Sequence, residues 1–140
     1  MSEVIKVGMA DLKTCVSPDG LTTLGLGSCV GVALRDPVTK IGGLAHVMLP
    51  DSKAISSPTL NIAKFADTGI EECVRQMEAL GAKRNRMTAK IAGGATMFAT
   101  QGKSDLVKVG ERNVEATKKK LAELNIPILS EDDFMAKYLA

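Results

Sequence analysis

VGVALRDPVTKIGGLAHVML, Val30 to Leu49, is two apolar runs joined by a polar break. The first run ends at Asp36 and Pro37, one with a side chain that bonds its own backbone in turns, the other with a fixed φ suited to them. The second run closes before Pro50. Together they read as an antiparallel hairpin that carries the chain's only histidine, His46. Upstream, TTLGLGS (Thr22 to Ser28) runs into Cys29. Its glycines at 25 and 27 permit backbone conformations barred to other residues, so the cysteine is presented rather than merely packed. Facing positions of an antiparallel pair add to a constant. A loop centred on residues 36–40 puts that constant near 76, give or take one for the turn type, and Cys29 and His46 total 75. They are expected as direct or near-direct cross-strand neighbours, with Cβ atoms roughly 4.5–5.5 Å apart if directly paired. At that separation an imidazole reaches a thiol.

The rest of the chain supplies a scaffold. Val4 to Met9 alternates as a short strand, Pro18-Asp19-Gly20 is a turn signal, and Leu21 to Leu26 is a strand entering the glycine loop. Residues 50–58 form a polar loop beside His46. Asn61 to Leu80 is the clearest helix, with Ile62, Phe65, Ile70, Cys73, Val74, Met77 and Leu80 at intervals of three and four, and Gly81 ends it. TAKIAGGATMF (88–98) reads as a strand ending at Gly93 and Gly94, residues 102–110 as a loop with a short strand DLVKV, and Glu111 to Leu124 as a second helix with Val114, Thr117, Leu121 and Leu124 inward. Ile126 to Leu129 is a last strand, and Ser130 with the acidic residues after it suits the first turn of a short tail helix. Strands before, between and after two main helices make an α+β layered domain.

At 140 residues the chain is expected to be one domain. Eighteen basic against sixteen acidic residues, no Trp, one Tyr and three Phe argue against nucleic acid, which calls for a clustered basic face and aromatic platforms. No run is long enough for a membrane span, and the N-terminus has charges where a signal peptide has its apolar core, so the expected location is cytoplasmic. Cysteines 15, 29 and 73 form no CxxC pair and an odd count favours free thiols. Cys73 lies on the apolar stripe of the first helix and reads as core. No metal site is expected, since no two of Cys15, Cys29, His46 and Cys73 share ligand spacing. GLGSCV fails as a dinucleotide fingerprint because Val30 replaces its third glycine, and Gly102-Lys103-Ser104 fails as a phosphate loop because Met97 replaces its first. No cofactor is expected.

Five segments in order, TLGLGSCVGVALRDP, GGLAHVMLPDS, KFADTGIE, AKIAGGATMF and GERNVEATKKKL, resemble the chemoreceptor glutamine deamidases of the CheD family, from about Val4 to Asp132. The resemblance implies a layered α/β/β sandwich of mixed, mainly antiparallel sheets. It also implies deamidation of glutamines on methyl-accepting chemotaxis receptors, with hydrolysis of their glutamyl methyl esters as a further activity, and a CheC-type phosphatase as second partner. It makes Cys29 the nucleophile, His46 the general base and Thr23, six residues before the cysteine, the third member of the site. Asp67 also matches the family, as do Arg112 and Asn113, which either anchor the second helix or meet a partner. One departure stands out: where the family continues with a glycine-rich turn and a final strand pair, this chain reads DFMAKYLA. That strand pair is expected to be missing or replaced after about residue 132.

These residue types suit amide hydrolysis. A thiolate attacks a poor electrophile, an imidazole takes the thiol proton and returns one to the departing ammonia, and water then releases the acyl group. The ring needs a third group to hold it, either the Thr23 hydroxyl or a backbone carbonyl. Backbone N–H groups of Gly27, Ser28 or Cys29 are the natural donors to the oxyanion. Gly42 and Gly43, on the facing strand, are expected to keep the site open to a substrate side chain. The competing reading is a non-catalytic module that docks on the phosphatase or the receptor and regulates it.

Overall fold

The computed structural model describes residues 2–52, 61–94 and 105–132. Nine elements follow one another: β1 (Val4–Lys6), β2 (Leu12–Val16), β3 (Gly20–Thr22), β4 (Val30–Asp36), β5 (Ile41–Val47), α1 (Ala66–Leu80), β6 (Thr88–Gly93), α2 (Asp105–Glu123) and β7 (Ile128–Asp132). The expected hairpin is β4 with β5, and it forms the centre of a five-stranded sheet of order β2-β5-β4-β6-β7. Its pairings are antiparallel except β6 with β7, and β1 lies parallel to β3 in a separate two-stranded sheet.

Alternation along the central strands explains the layering. Val30, Val32 and Leu34 of β4, with Ala45 and Val47 of β5, face α1 through Ile70, Cys73, Val74 and Met77 and α2 through Leu121. On the opposite side Leu44 packs with Val7, Cys15 and Leu21 under the β1–β3 pair. Helices, large sheet and small sheet thus stack as α/β/β, the expected α+β architecture. Gly43 belongs to the helix side: a Cβ there would stand 2.6 Å from Cys73 Sγ and 2.8 Å from Met77 Sδ. It admits α1 to the sheet and does not open the site, contrary to expectation. Gly42, paired with Arg35 and Cys15, lies at the far end of the strand from His46.

Several elements differ from the sequence reading. The strand LKTCV (β2) was not anticipated because its buried residues, Leu12 and Cys15, serve opposite layers and do not alternate. Helix α1 starts only at Ala66: Phe65 is extended and bridges Leu49, so residues 62–64 form a separate 3-10 turn capped by the Asn61 side chain. DLVKV is the first turn of α2, not a strand. Gly110 interrupts the periodicity there, yet it is buried on the inner side, where its carbonyl would stand 3.0 Å from a Cβ on Gly94. Ser130 lies in β7 opposite Lys90, because the exposed edge of β6 offers a ladder that outweighs the capping pattern. The end of the 88–98 strand, Gly102 to Ser104, most of the 50–58 loop and residues 133–140 lie outside the described residues.

Candidate active site

The loop between β4 and β5 fixes how Cys29 and His46 are placed relative to one another. Asp36 pairs with Ile41, leaving residues 37–40 as the loop, with Lys40 left-handed at φ 59° and its N–H donating to the Asp36 carbonyl at 2.8 Å. Facing positions therefore total 77, and Gly31 stands opposite His46. Continued one pair beyond the strands, this register sets Met48 against Cys29, so Cys29 and His46 are diagonal rather than direct neighbours. Such positions lie roughly 7–8 Å apart in a regular sheet and remain within reach of long or aromatic side chains.

Both residues lie on the side of the sheet away from the helices. His46 and Ala92 flank Gly31 on one face, and Cys29 packs with Ala92 and Leu26. Gly31 makes the room, for a Cβ there would come within 3.3 Å of Leu26 and 3.5 Å of Thr23. Thr23 is fully buried, His46 is 1% exposed and Cys29 is 8% exposed. Of the two adjacent threonines only Thr23 turns inward; its Oγ1 lies 2.7 Å from the Val7 carbonyl and 2.8 Å from His46 Nδ1.

Those two contacts assign the histidine tautomer. A hydroxyl has one hydrogen, and the Val7 carbonyl can only accept, so Thr23 donates to Val7 and accepts from an Nδ1–H of His46. The lone pair then sits on Nε2, which is buried and has no hydrogen-bond partner among the described residues. Burial pushes the His46 imidazole below its ordinary value and the Cys29 thiol above its own. Neither shift has an ionic cause. In both cases burial favours the uncharged form.

Ser28 and Gly27 occupy a tight turn closed by the Cys29 N–H donating to the Leu26 carbonyl at 2.7 Å. That bond removes the Cys29 amide from the three oxyanion candidates. The Gly27 and Ser28 amides keep no partner among the described residues, and Gly27 has φ 51°. Past the cysteine, its carbonyl accepts from Gly94 N–H at 2.7 Å. Gly93, at φ 94°, lies so close that a Cβ would strike the same oxygen.

Two contributions were not anticipated, the Val7 carbonyl and the Gly93-Gly94 cradle, and a third residue, Asn113, was singled out without this role. Fully buried on α2, Asn113 donates through Nδ2 to the Ser28 carbonyl at 2.8 Å and the Met48 carbonyl at 2.9 Å. Its signal in the sequence was the family pattern that GERNVEATKKKL resembles; its spacing of four and eight residues from the inward Thr117 and Leu121 agrees with its burial. Arg112 beside it is exposed. Asp67 serves locally, accepting from Ser52 N–H at 3.1 Å and Ser52 Oγ at 2.8 Å. Among the described residues no group of three His, Cys, Asp or Glu is arranged to hold a metal, and no helix is long and apolar enough to cross a membrane.

A family model, CheD chemotactic sensory transduction, matches residues 48–137. The chain is 61% identical over 132 residues to the probable chemoreceptor glutamine deamidase CheD of Lachnoclostridium phytofermentans, covering 94% of this chain and 81% of that one. It is 53% identical over 132 residues to the chemoreceptor glutamine deamidase CheD of Halalkalibacterium halodurans (94% and 82% covered), and 50% identical over 131 residues to that of Bacillus licheniformis (94% and 78%). Among solved structures, the Bacillus licheniformis hypothetical protein YfiH superposes at a TM-score of 0.47 and 19% identity, over 81% of this chain and 46% of that one.

Proposed function

Because this chain belongs to the CheD family, we propose that it is a chemoreceptor glutamine deamidase working through Cys29 and His46. The observation that carries the reading is the Thr23 hydroxyl: by taking the Nδ1 hydrogen of His46 it leaves Nε2 as a free base on the face that holds Cys29. As Cys29 Sγ attacks the glutamine amide carbon, its proton passes to Nε2. The tetrahedral oxyanion draws on the Gly27 and Ser28 amides. Collapse breaks the C–N bond, and His46 returns the proton to the nitrogen, which leaves as ammonia. Water, deprotonated by the same Nε2, then splits the thioester to glutamate and the free thiol. A glutamyl methyl ester presents the same carbonyl, with methanol as the leaving group.

The test is direct. Receptor cytoplasmic fragment is incubated with this protein and with Cys29→Ala, while ammonia and the mass of each glutamine peptide are followed. Deamidation by the wild type alone is expected. We propose a CheC-type phosphatase as a binding partner. Wild-type protein that binds this phosphatase but leaves every glutamine unchanged would turn the reading to a regulatory docking module.

A further inference from the structure

We propose that Asn113 is a positioning residue for the nucleophile: its amide group locks the loop bearing Cys29 to the strand bearing His46. The inference rests on the thiol chemistry proposed above. One NH2 group with two hydrogens meets two buried carbonyls, Ser28 at 2.8 Å and Met48 at 2.9 Å. Ser28 immediately precedes the nucleophile. Met48 lies two residues past His46 and opposite Cys29 in the continued register. The amide orientation is unambiguous, because the reverse would set Oδ1 against two carbonyl oxygens.

The bond to Ser28 matters through peptide planarity. In a trans peptide the carbonyl and the following N–H point in opposite directions. The Ser28–Cys29 peptide is held at both ends, its carbonyl by Asn113 and its N–H by the Leu26 carbonyl at 2.7 Å. The next peptide is held through its own carbonyl by Gly94 at 2.7 Å. With both planes around Cys29 fixed, so is the direction of its Cα–Cβ bond, and with it the approach of Sγ to Nε2. The Met48 bond fixes the facing strand to the same point. Without the amide, the Ser28–Cys29 peptide is held only through its N–H, and the looser plane costs the thiol its alignment with the base.

The experiment measures thiol reactivity and needs no receptor. Asn113→Asp, nearly isosteric but without N–H donors when ionised, and Asn113→Ala are made in the wild type and in His46→Ala. Iodoacetamide labelling of Cys29 is followed across pH by mass spectrometry, counting only molecules whose fully buried Cys73 is still unmodified, which confines the reading to folded protein. Both variants are expected to label Cys29 about tenfold more slowly at neutral pH, the loss of one or two buried hydrogen bonds, with the profile displaced to higher pH. In the His46→Ala background they are expected to change nothing further. The proposal is overturned by an unchanged profile, by an equal loss in both backgrounds, or by Cys73 losing its protection in both variants, the mark of an amide that only holds the fold. A wild type that labels rapidly yet deamidates nothing would sink the deamidase reading while leaving Asn113 its role; active enzyme with unaltered Asn113 variants would do the reverse.

Discussion

Thr23→Val preserves the shape of the side chain and removes the oxygen between Val7 and His46. It is expected to lower kcat about 10- to 100-fold, the cost of stranding a buried N–H and freeing the tautomer, with little change in KM, whereas Thr23→Ser should retain most activity. Steady-state deamidation of a receptor fragment measures both. In the wild type, activity should fall on the acid side only below 6.5, because burial lowers the His46 value and protonating Nε2 removes the base. At this scale the sequence was partly legible. The hairpin reading placed Cys29 and His46 near one another across two strands, but the partner of Thr23 is a main-chain carbonyl sixteen residues upstream, and backbone atoms leave no mark in residue identity. Asn113 was visible only through the family resemblance, and nothing in the sequence tells which carbonyls it will meet.

Among the elements, the β4–β5 hairpin governs the register that places the cysteine diagonal to the histidine on one face, and Asp36 governs the hairpin. Its fully buried carboxylate accepts from Val38 N–H at 3.0 Å inside the turn, from Lys83 N–H at 2.9 Å, and from Arg86 through Nε at 3.1 Å and Nη2 at 2.8 Å. The Arg86 guanidinium and the two amides hold Asp36 far below the usual carboxylate range. Asp36→Ala should destabilise the protein by about 3 kcal/mol, since it strands two backbone donors and an arginine at once. A lowered urea midpoint at unchanged slope would register this. The turn was readable from Asp36-Pro37, but the ion pair was not, because Arg86 is fifty residues away and only the sheet brings β6 beside β4. The register falls at the upper end of the expected range because Asp36 looks like loop and is paired as strand.

For the molecule as a whole, His46, Asp36 and Cys73 are among the buried groups that shape how stability varies with pH. His46 is lowered in the fold, so the unfolded chain takes up its proton first, and stability is lost as pH falls below 6.5. Asp36 adds a second loss below about 3.9, the unfolded carboxylate range. Cys73 is pushed up to about 12 from 9.0 by burial, so its contribution is intact below 9.0 and disappears as pH rises toward the folded value. Denaturation at a series of pH values should therefore show a plateau between 6.5 and 9.0, and His46→Ala should flatten its acid shoulder without touching the alkaline one. The layered architecture was legible because alternating strands and one strongly periodic helix leave few ways to bury both faces of a sheet. Its edges were less so: β2 serves two layers, and β7, read as ending at Leu129, is carried on to Asp132 by its ladder with β6.

The small sheet has a practical consequence. Only three residue pairs join Val4–Lys6 to Gly20–Thr22, yet the carbonyl just beyond them keeps the Thr23 hydrogen occupied. A purification tag or fusion partner that peels off this first strand would release the hydroxyl to donate toward the ring, favouring the opposite tautomer. An N-terminal tag is therefore best cut away before the proposed activity is assayed.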